Sequence, residues 1–448
     1  MTSPIEQHTI YPIPEQGRYG RPYSQFTIWF SSNMTLLTVV TGAMGPAEYH
    51  LSFLWSAIAL LLGNLIGGFF MALHAVQGPI LGVPQMIQSR GQFGSWGAVP
   101  IIMMVIVMYI SFVASNCVVG GETLQFVQPA LHRHTAILIM AFLSFIPCII
   151  GYRTIQACAS PLSILTTIVV ILCFVLGLSG HTQQILTDWH GSVPGFLQSF
   201  SIAVLWQIAT APYVSDSSRY LPANPKTYPR VFFACYSGTV GGSFLAMATG
   251  AFLAAQSPLS TIAAIGHITG EWGALIVLIL GLSIAFANAM DLYCSTLATI
   301  TFWHTFKPRW HPRGLTRLTI SMLTVILAIC IALFMSGSFN TIYTAILDIL
   351  MIVMIPWTAI NLVDFYIIQK GHYDVPSFFQ ENGGRYGRVN KPAILSYLIG
   401  IVAGIPFLNL KFYHGPLLAS LHGIDISWLI SLGSATSAYL SLHRKTEP

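Results

Sequence analysis

Three groups of residues have the types and spacing to hold a flat polar ligand. Phe112 and Asn116 are four residues apart, so on a helix they share one face and present a ring and an amide together. Asn288, Asp291 and Ser295, at i, i+3 and i+7, draw one polar stripe along an otherwise apolar stretch, and such a stripe is expected to face a cavity. Trp206 stands near the centre of another apolar stretch, where its indole can cover one face of a ring or simply pack. A carboxyl at Asp291 can accept a ring N–H or an exocyclic amine, or can carry a proton. Glu122 and Asp348 are further acidic residues near the ends of apolar stretches, suited either to proton relay and gating or to helix capping and interfacial solvation.

This chemistry is recognition rather than catalysis. No Ser-His, His-Glu-His or paired-Asp arrangement occurs within the apolar stretches. The 14 histidines fall mainly between them, as His132 and His134 or His181 and His190 do, without the i,i+4 spacing and carboxylate of a zinc hydrolase. The seven cysteines lie inside or at the edge of apolar stretches with no CxxC pair, which indicates neither a disulfide framework nor a zinc site. No cofactor or metal is expected.

The elements that must position these residues follow from charge. Only 33 of 448 residues are Lys, Arg, Asp or Glu, 7% against roughly 25% in a soluble domain, so the chain is expected to be an all-α integral membrane protein with the lipid bilayer as its main partner. Twelve stretches are long and apolar enough to cross the hydrocarbon, at about 27–46, 51–74, 98–128, 136–151, 160–179, 196–214, 229–255, 271–301, 318–336, 341–368, 392–410 and 424–442.

With the amino terminus inside, 17 of the 19 Lys and Arg residues fall in inside gaps, and only Arg133 and Lys411 fall outside. One missed or added helix would scramble every later gap, so span count and orientation support each other. The prediction is a multi-pass protein of the cell (inner or plasma) membrane with both termini cytoplasmic. The net charge of +5 is then explained by inside loops facing anionic lipid, not by a nucleic-acid partner. Residues 1–25, polar and without a basic start followed by an apolar core, read as a cytoplasmic tail rather than a cleaved signal.

A weak internal repeat is visible. Pro79 to Gly94 (PILGVPQMIQSRGQFG) and Pro258 to Gly273 (PLSTIAAIGHITGEWG) are both 16 residues long, end GQFG or GEWG, and are offset by 179 residues. An odd number of spans, five, separates them, which puts the two copies on opposite membrane faces as an inverted repeat requires. In folds of that kind the first helix of each repeat is broken near mid-membrane, and the unwound backbone lines the substrate and ion sites. The first span offers Ser31-Ser32-Asn33 and later Gly45-Pro46, and the sixth offers Ala209-Thr210-Ala211-Pro212. Such residues are also ordinary in membrane helices, so both readings stay open.

Several ordered motifs together resemble a family. FTIWFSSNMTLLTVVTGAMGP (26–46), GPILGVPQMIQSRGQFG (78–94), NCVVGGETL (116–124), SDSSRYLP (215–222) and YDVPSFFQENGGRYGRVN (373–390) are similar to the purine-cytosine permease branch of the nucleobase-cation symporters. That resemblance implies 12 transmembrane helices, a LeuT-type five-plus-five inverted repeat plus two C-terminal helices, and import of a nucleobase or related planar heterocycle with a cation. It divides the chain into the 1–25 tail, repeats over 26–180 and 196–370, a helix pair over 392–443 and a 444–448 tail.

Residue by residue, the resemblance implies stacking on Trp206, an amide contact at Asn116, and a substrate contact at Asp291 where an asparagine is usual. Phe112 departs from the usual Gly-Trp pair, and Glu122 replaces a common glutamine. With Asn288 and the broken-helix residues Ser32 and Asn33, these form the expected substrate site. Asp291, Glu122, Asp348, Asp216 and Arg219 are the expected coupling or gating groups, the last two at the inner end of the sixth span as either a gate ion pair or a plain helix-end salt bridge.

Sodium in this fold sits between unwound carbonyls and small hydroxyls of the eighth helix, but the equivalent stretch here is Ala285-Phe286. The co-transported ion is therefore expected to be a proton, with alternating access. The alternatives are a transporter of the same fold for a vitamin-like heterocycle, allantoin or a hydantoin, an amino acid or a polyamine, and, further off, an intramembrane enzyme or a channel. Oligomeric state is not legible in the sequence.

Overall fold

Helices occupy every one of the twelve expected stretches in the computed structural model, which describes residues 9–178, 182–312, 314–410 and 413–444. Eight are by themselves long and apolar enough to cross a membrane. Residues 1–8 and 445–448 of the expected tails, and Arg313 and Lys411 of the charge pattern, lie outside the described residues.

The helices are α1 (Tyr23–Asn33), α2 (Leu36–Tyr49), α3 (Phe53–Leu81), α4 (Gln85–Phe93), α5 (Val99–Val127), α6 (Arg133–Ile150), α7 (Tyr152–Gly177) and α8 (Thr182–Thr187). They continue as α9 (Val193–Ser218), α10 (Tyr228–Gln256), α11 (Thr261–Thr269), α12 (Gly273–Phe306), α13 (Gly314–Met335), α14 (Phe339–Leu362), α15 (Lys391–Gly404) and α16 (Ser427–Arg444). A two-stranded antiparallel hairpin, β1 (Asn409–Leu410) and β2 (Tyr413–His414), joins the last two.

The expected first span is two helices. Met34 (φ −85°, ψ 63°) and Thr35 (φ −126°, ψ 160°) interrupt it, one residue beyond the Ser-Ser-Asn run. The local side chains favour the interruption: the Ser31 hydroxyl turns back to the Thr27 carbonyl, the Asn33 amide donates to Trp29 O at 2.7 Å, and the Thr35 and Thr38 hydroxyls pair at 3.0 Å. Such side-chain bonds offer the backbone an alternative to its helical partners.

The sixth expected span behaves differently. α9 runs unbroken from Val193 to Ser218 with Pro212 inside it, so the break considered at 209–212 is absent. A proline withdraws one N–H, and a helix packed on several sides can tolerate that. α9 is packed in this way against α3: a Cβ on Gly63 would lie 2.4 Å from Phe200 O, and one on Gly67 2.5 Å from Val204 O. The two backbones meet with only hydrogen between them, as small-residue positions permit in membranes.

Both copies of the 16-residue segment contain a nine-residue helix, α4 in the first and α11 in the second, each leading toward a long helix, α5 or α12.

Residues 9–18 are not a free tail. Ile10 and Ile13 are buried in the core, the Ile13 N–H donates to Gly82 O at 3.1 Å, and Arg18 donates to Pro79 O at 2.8 Å and to Ile13 O at 3.0 Å. The segment lies across the ends of α3 and α9, on the face where Arg90, inside α4, donates to Thr301 O (2.7 Å), Phe378 O (2.9 Å) and the Thr305 hydroxyl (2.9 Å). A positively charged side chain this deep is held because nearly every N–H has an acceptor.

Candidate functional site

The break between α1 and α2 opens onto a narrow cavity of about 40 Å³ deep in the protein. Ser32, Asn33 and Thr35 line it from the break, Phe112 and Asn116 from α5, Trp206, Thr210 and Tyr213 from α9, and Ala287, Met290 and Asp291 from α12. Six residues singled out from the sequence therefore meet here: Ser32, Asn33, Phe112, Asn116, Trp206 and Asp291.

Their roles differ. The Trp206 indole N–H donates to Asn33 Oδ1 at 2.7 Å, and the Asn33 amide also reaches the Thr239 hydroxyl at 3.1 Å. Asn33 thus holds the tryptophan with its oxygen and spends both amide N–H groups on Trp29 O and Thr239. Next to Trp206, Gln207 points the other way, donating to Asn64 Oδ1 (2.6 Å) and the Ser243 hydroxyl (3.0 Å) and accepting from Thr239. A buried network satisfied in this way fixes the rotation of α9, and with it the orientation of the indole.

Trp206 and Phe112 do not form a parallel clamp. Their ring centroids are 6.0 Å apart with an interplanar angle of 82°, so a flat ligand on the indole would meet the phenyl ring side-on.

Two residues of the lining carry polar groups without protein partners. Asn116 Oδ1 is buried with no hydrogen bond, and no described residue hydrogen-bonds the Asp291 carboxyl. Buried polar groups are normally satisfied, so an amide and a carboxyl left open toward the same space are available to a ligand.

Asn288 does not join them. It is fully buried on the other side of α12, where Nδ2 donates to Val113 O and the Ser144 hydroxyl at 3.3 Å and to the Cys117 sulfur at 3.4 Å. At about 100° per residue, Asn288 and Asp291 are roughly 60° apart around the helix, while Ala287 and Asp291 are roughly 40° apart, and the cavity faces the second pair. Ser295 is likewise buried away from the cavity. In contrast Thr210 and Tyr213, not singled out from the sequence, do line it, at i+4 and i+7 from Trp206. That spacing alone marks the face they share.

The remaining acidic candidates stand apart from this cavity. Glu122 pairs with Arg133 at 3.4 Å on the rim of a wide recess of about 1040 Å³ between the ends of α2, α5, α10 and α14. Asp348 lines a third cavity, beside α9. Asp216 and Arg219 are buried at the opposite end of α9, where Asp216 Oδ1 accepts the Gln85 N–H at 3.0 Å and Arg219 donates to Thr9 O at 2.9 Å. They bind α4 and the N-terminal segment to the end of α9. Among the described residues, no cluster of three or more His, Cys, Asp or Glu side chains is placed to hold a metal.

This geometry has relatives. A family profile described as permease for cytosine/purines, uracil, thiamine and allantoin matches residues 12–431. A Bacillus subtilis (strain 168) protein assigned by name to the purine-cytosine permeases, YxlA, is 33% identical over 98% of this chain and 96% of its own length. The purine-cytosine permease fcyB of Emericella nidulans is 23% identical over 98% of this chain and 88% of its own. Among solved structures, Mhp1, a nucleobase-cation-symport-1 family transporter in a closed conformation with bromovinylhydantoin bound, superposes with a TM-score of 0.80 at 16% identity, covering 100% of this chain and 97% of that one. The likeness is one of fold.

Proposed function

This chain belongs to the permease family for cytosine/purines, uracil, thiamine and allantoin, and we propose that it imports a nucleobase or closely related planar heterocycle together with a proton. It is a multi-pass membrane transporter of the LeuT-type fold, not an enzyme. The carrying observation is the convergence of Trp206, Phe112, Asn116 and Asp291 on one buried cavity, with the last two unpartnered.

In this reading the heterocycle lies on the Trp206 indole with its edge toward Asn116 and Asp291. The amide matches one ring donor and one acceptor, and the carboxyl takes a ring N–H or holds the co-transported proton. A proton is favoured over sodium because Ala285 and Phe286 bring no hydroxyl to the wall of α12, where a hard cation would need oxygen ligands.

The distribution of Lys and Arg puts the N-terminal segment, Arg90, Asp216 and Arg219 on the cytoplasmic side of a plasma or inner membrane. The wide recess beside Glu122 and Arg133 then faces outward, while residues 9–18 seal the inner side. Substrate enters from the recess, and release requires the inner seal to part. The paired segments bearing α4 and α11 support an inverted repeat over 26–180 and 196–370 as the basis of that alternation.

The test is uptake of radiolabelled cytosine, adenine, hypoxanthine, uracil, allantoin and pyridoxine by expressing cells in sodium-free buffer, with and without a protonophore. Protonophore-sensitive uptake of one base, lost in Asp291→Asn, supports the reading. Uptake that needs sodium overturns the proton assignment, unimpaired uptake by Trp206→Ala removes the indole from the site, and no uptake of any of these compounds moves the substrate outside nucleobases.

A further inference from the structure

The inner end of α14 does not finish as an α-helix. Over Val363–Ile368 the chain widens into a π-turn, and Asp364, in its first turn, is only 1% exposed. Such turns occur disproportionately at functional places. Two phenols hold the carboxyl: the Tyr373 hydroxyl, from the loop after the turn, donates to Oδ1, and the Tyr439 hydroxyl, from α16, donates to Oδ2. Among the described residues no Lys or Arg pairs with it, and the basic group in electrostatic range is His443, one turn beyond Tyr439 on α16.

This carboxyl sets the polarity of a chain of hydrogen bonds. A carboxylate can only accept, so both phenols must donate to it, which leaves the Tyr373 oxygen to accept from Gln92 Nε2 at 3.2 Å. The Gln92 oxygen then takes Asn361 Nδ2 (3.2 Å), the Asn361 oxygen takes Gln77 Nε2 (2.8 Å), and the Gln77 oxygen takes Gln85 Nε2 (3.0 Å). Each amide donates toward Asp364, and the chain crosses from the loop and α14 to α3 and α4. It ends against α9, where the Gln85 backbone N–H donates to Asp216 Oδ1 at 3.0 Å, on the helix that carries Trp206. Bonds in such a chain polarise one another, so removing the charge at one end weakens contacts further along.

We infer that Asp364 is a positioning residue for transport: through Tyr373, Tyr439 and the amide chain its carboxylate clamps the inner end of α14 to α3, α4 and α16 in the inward-closed form, and the clamp parts when the inner side opens. The inference rests on the alternating-access reading given above. Asp364 is outside the lining of the transport cavity, so it acts through the helices it ties together. It also gives α16, which belongs to neither expected repeat, a part in the cycle, because Tyr439 holds one oxygen of the carboxyl and accepts Asn390 Nδ2 at 3.3 Å.

Labelling from the two membrane faces tests it. A membrane-impermeant maleimide is applied to Cys294 in inside-out vesicles, and to Val119→Cys, in the wall of the outer recess, in right-side-out vesicles. Asp364→Asn sets an N–H donor against two phenols. It is expected to speed inner labelling by roughly tenfold or more, with outer labelling unchanged or slower. Tyr373→Phe cuts the chain by removing one oxygen and is expected to reproduce part of that effect, adding nothing in the Asp364→Asn background. If Asp364→Asn does not reach the membrane, Tyr373→Phe and Tyr439→Phe carry the same expectation. Inner rates equal to wild type overturn the inference. Rates that rise on both faces also overturn it, because the residue then holds the fold and not one state. The labelling needs no substrate, so failure here is separable from failure of the uptake reading.

Discussion

Trp206 and Asn33 are joined by a 2.7 Å hydrogen bond from the indole N–H to the side-chain oxygen, which ties α9 to the break between α1 and α2. The ring offered to a substrate is therefore positioned by the same residue that also bonds Trp29 O and Thr239 around that break. In Asn33→Ala the buried indole loses its acceptor, a cost of about 1–3 kcal/mol for an unmade bond. The expected result is a rise in the KM for uptake of roughly five- to 150-fold, with normal amounts of protein in the membrane. Asn33→Asp keeps an acceptor and is expected to lie closer to wild type. Equal KM values in Asn33→Ala and wild type would show that the indole does not depend on this bond.

Two asparagines separate binding from packing. Both have an unpartnered side-chain oxygen, but Asn116 lines the cavity, whereas Asn288 lies outside its lining and its Nδ2 donates to three groups between α12, α5 and α6. Asn116→Ala is expected to raise KM or abolish uptake with little change in thermal stability. Asn288→Ala is expected to do the reverse, lowering the melting temperature of the purified protein by an amount equivalent to about 1–3 kcal/mol while leaving KM near wild type. An unchanged KM in Asn116→Ala would remove that residue from the site.

Much of this arrangement is legible in the sequence, for reasons that also explain the misses. Charge is so sparse that the spans stand out, and Phe112 and Asn116 line one cavity together because i,i+4 leaves little angular ambiguity. The stripe through Asn288, Asp291 and Ser295 is ambiguous: i,i+3 and i,i+4 both count as one face, and the packing of α5 and α6 against α12 decides which side of Asp291 is open. Ser31-Ser32-Asn33 marks a break that Thr35 completes, but Pro212 marks none, because close backbone packing from Gly63 and Gly67 braces α9 and leaves no trace in the local sequence of α9 itself. The burial of Ile10 and Ile13 is equally invisible locally, since two isoleucines in a polar segment look like ordinary surface residues until α3 and α9 supply the groove.

That N-terminal segment carries a prediction about gating. Arg219 donates to Thr9 O, and Arg18 to Ile13 O and Pro79 O, so a few bonds hold the seal across the end of α9. Arg18→Ala removes two of them at a partly buried position and is expected to shift the balance toward the inward-open form by about 1–3 kcal/mol. The measurement is the rate of alkylation of Cys294, a fully buried thiol on α12, by a membrane-impermeant maleimide applied to inside-out vesicles. Labelling is expected to be faster in Arg18→Ala than in wild type and to be slowed when the vesicles are preloaded with transported substrate. Identical labelling rates in the two proteins would mean that the segment does not control access.

The close approach of α3 to α9 at Gly67 sets a limit on how that helix can move. A Cβ at Gly67 would lie 2.5 Å from Val204 O and 2.8 Å from Gln207 Cβ, both on the stretch of α9 that carries Trp206, and neither a backbone oxygen nor a helix core can step aside cheaply. Gly433 in α16 has nothing within 4 Å of the same position. Gly67→Ala is expected to cost about 1–3 kcal/mol or more in stability and to reduce uptake by displacing the indole, whereas Gly433→Ala is expected to be neutral or slightly stabilising through the higher helix propensity of alanine. Monodispersity and melting temperature of the two purified variants decide it. A Gly67→Ala protein as stable as wild type would show that α3 and α9 are free to separate, and the fixed position of Trp206 argued from Asn33 and Gln207 would then have to rest on those two side chains alone.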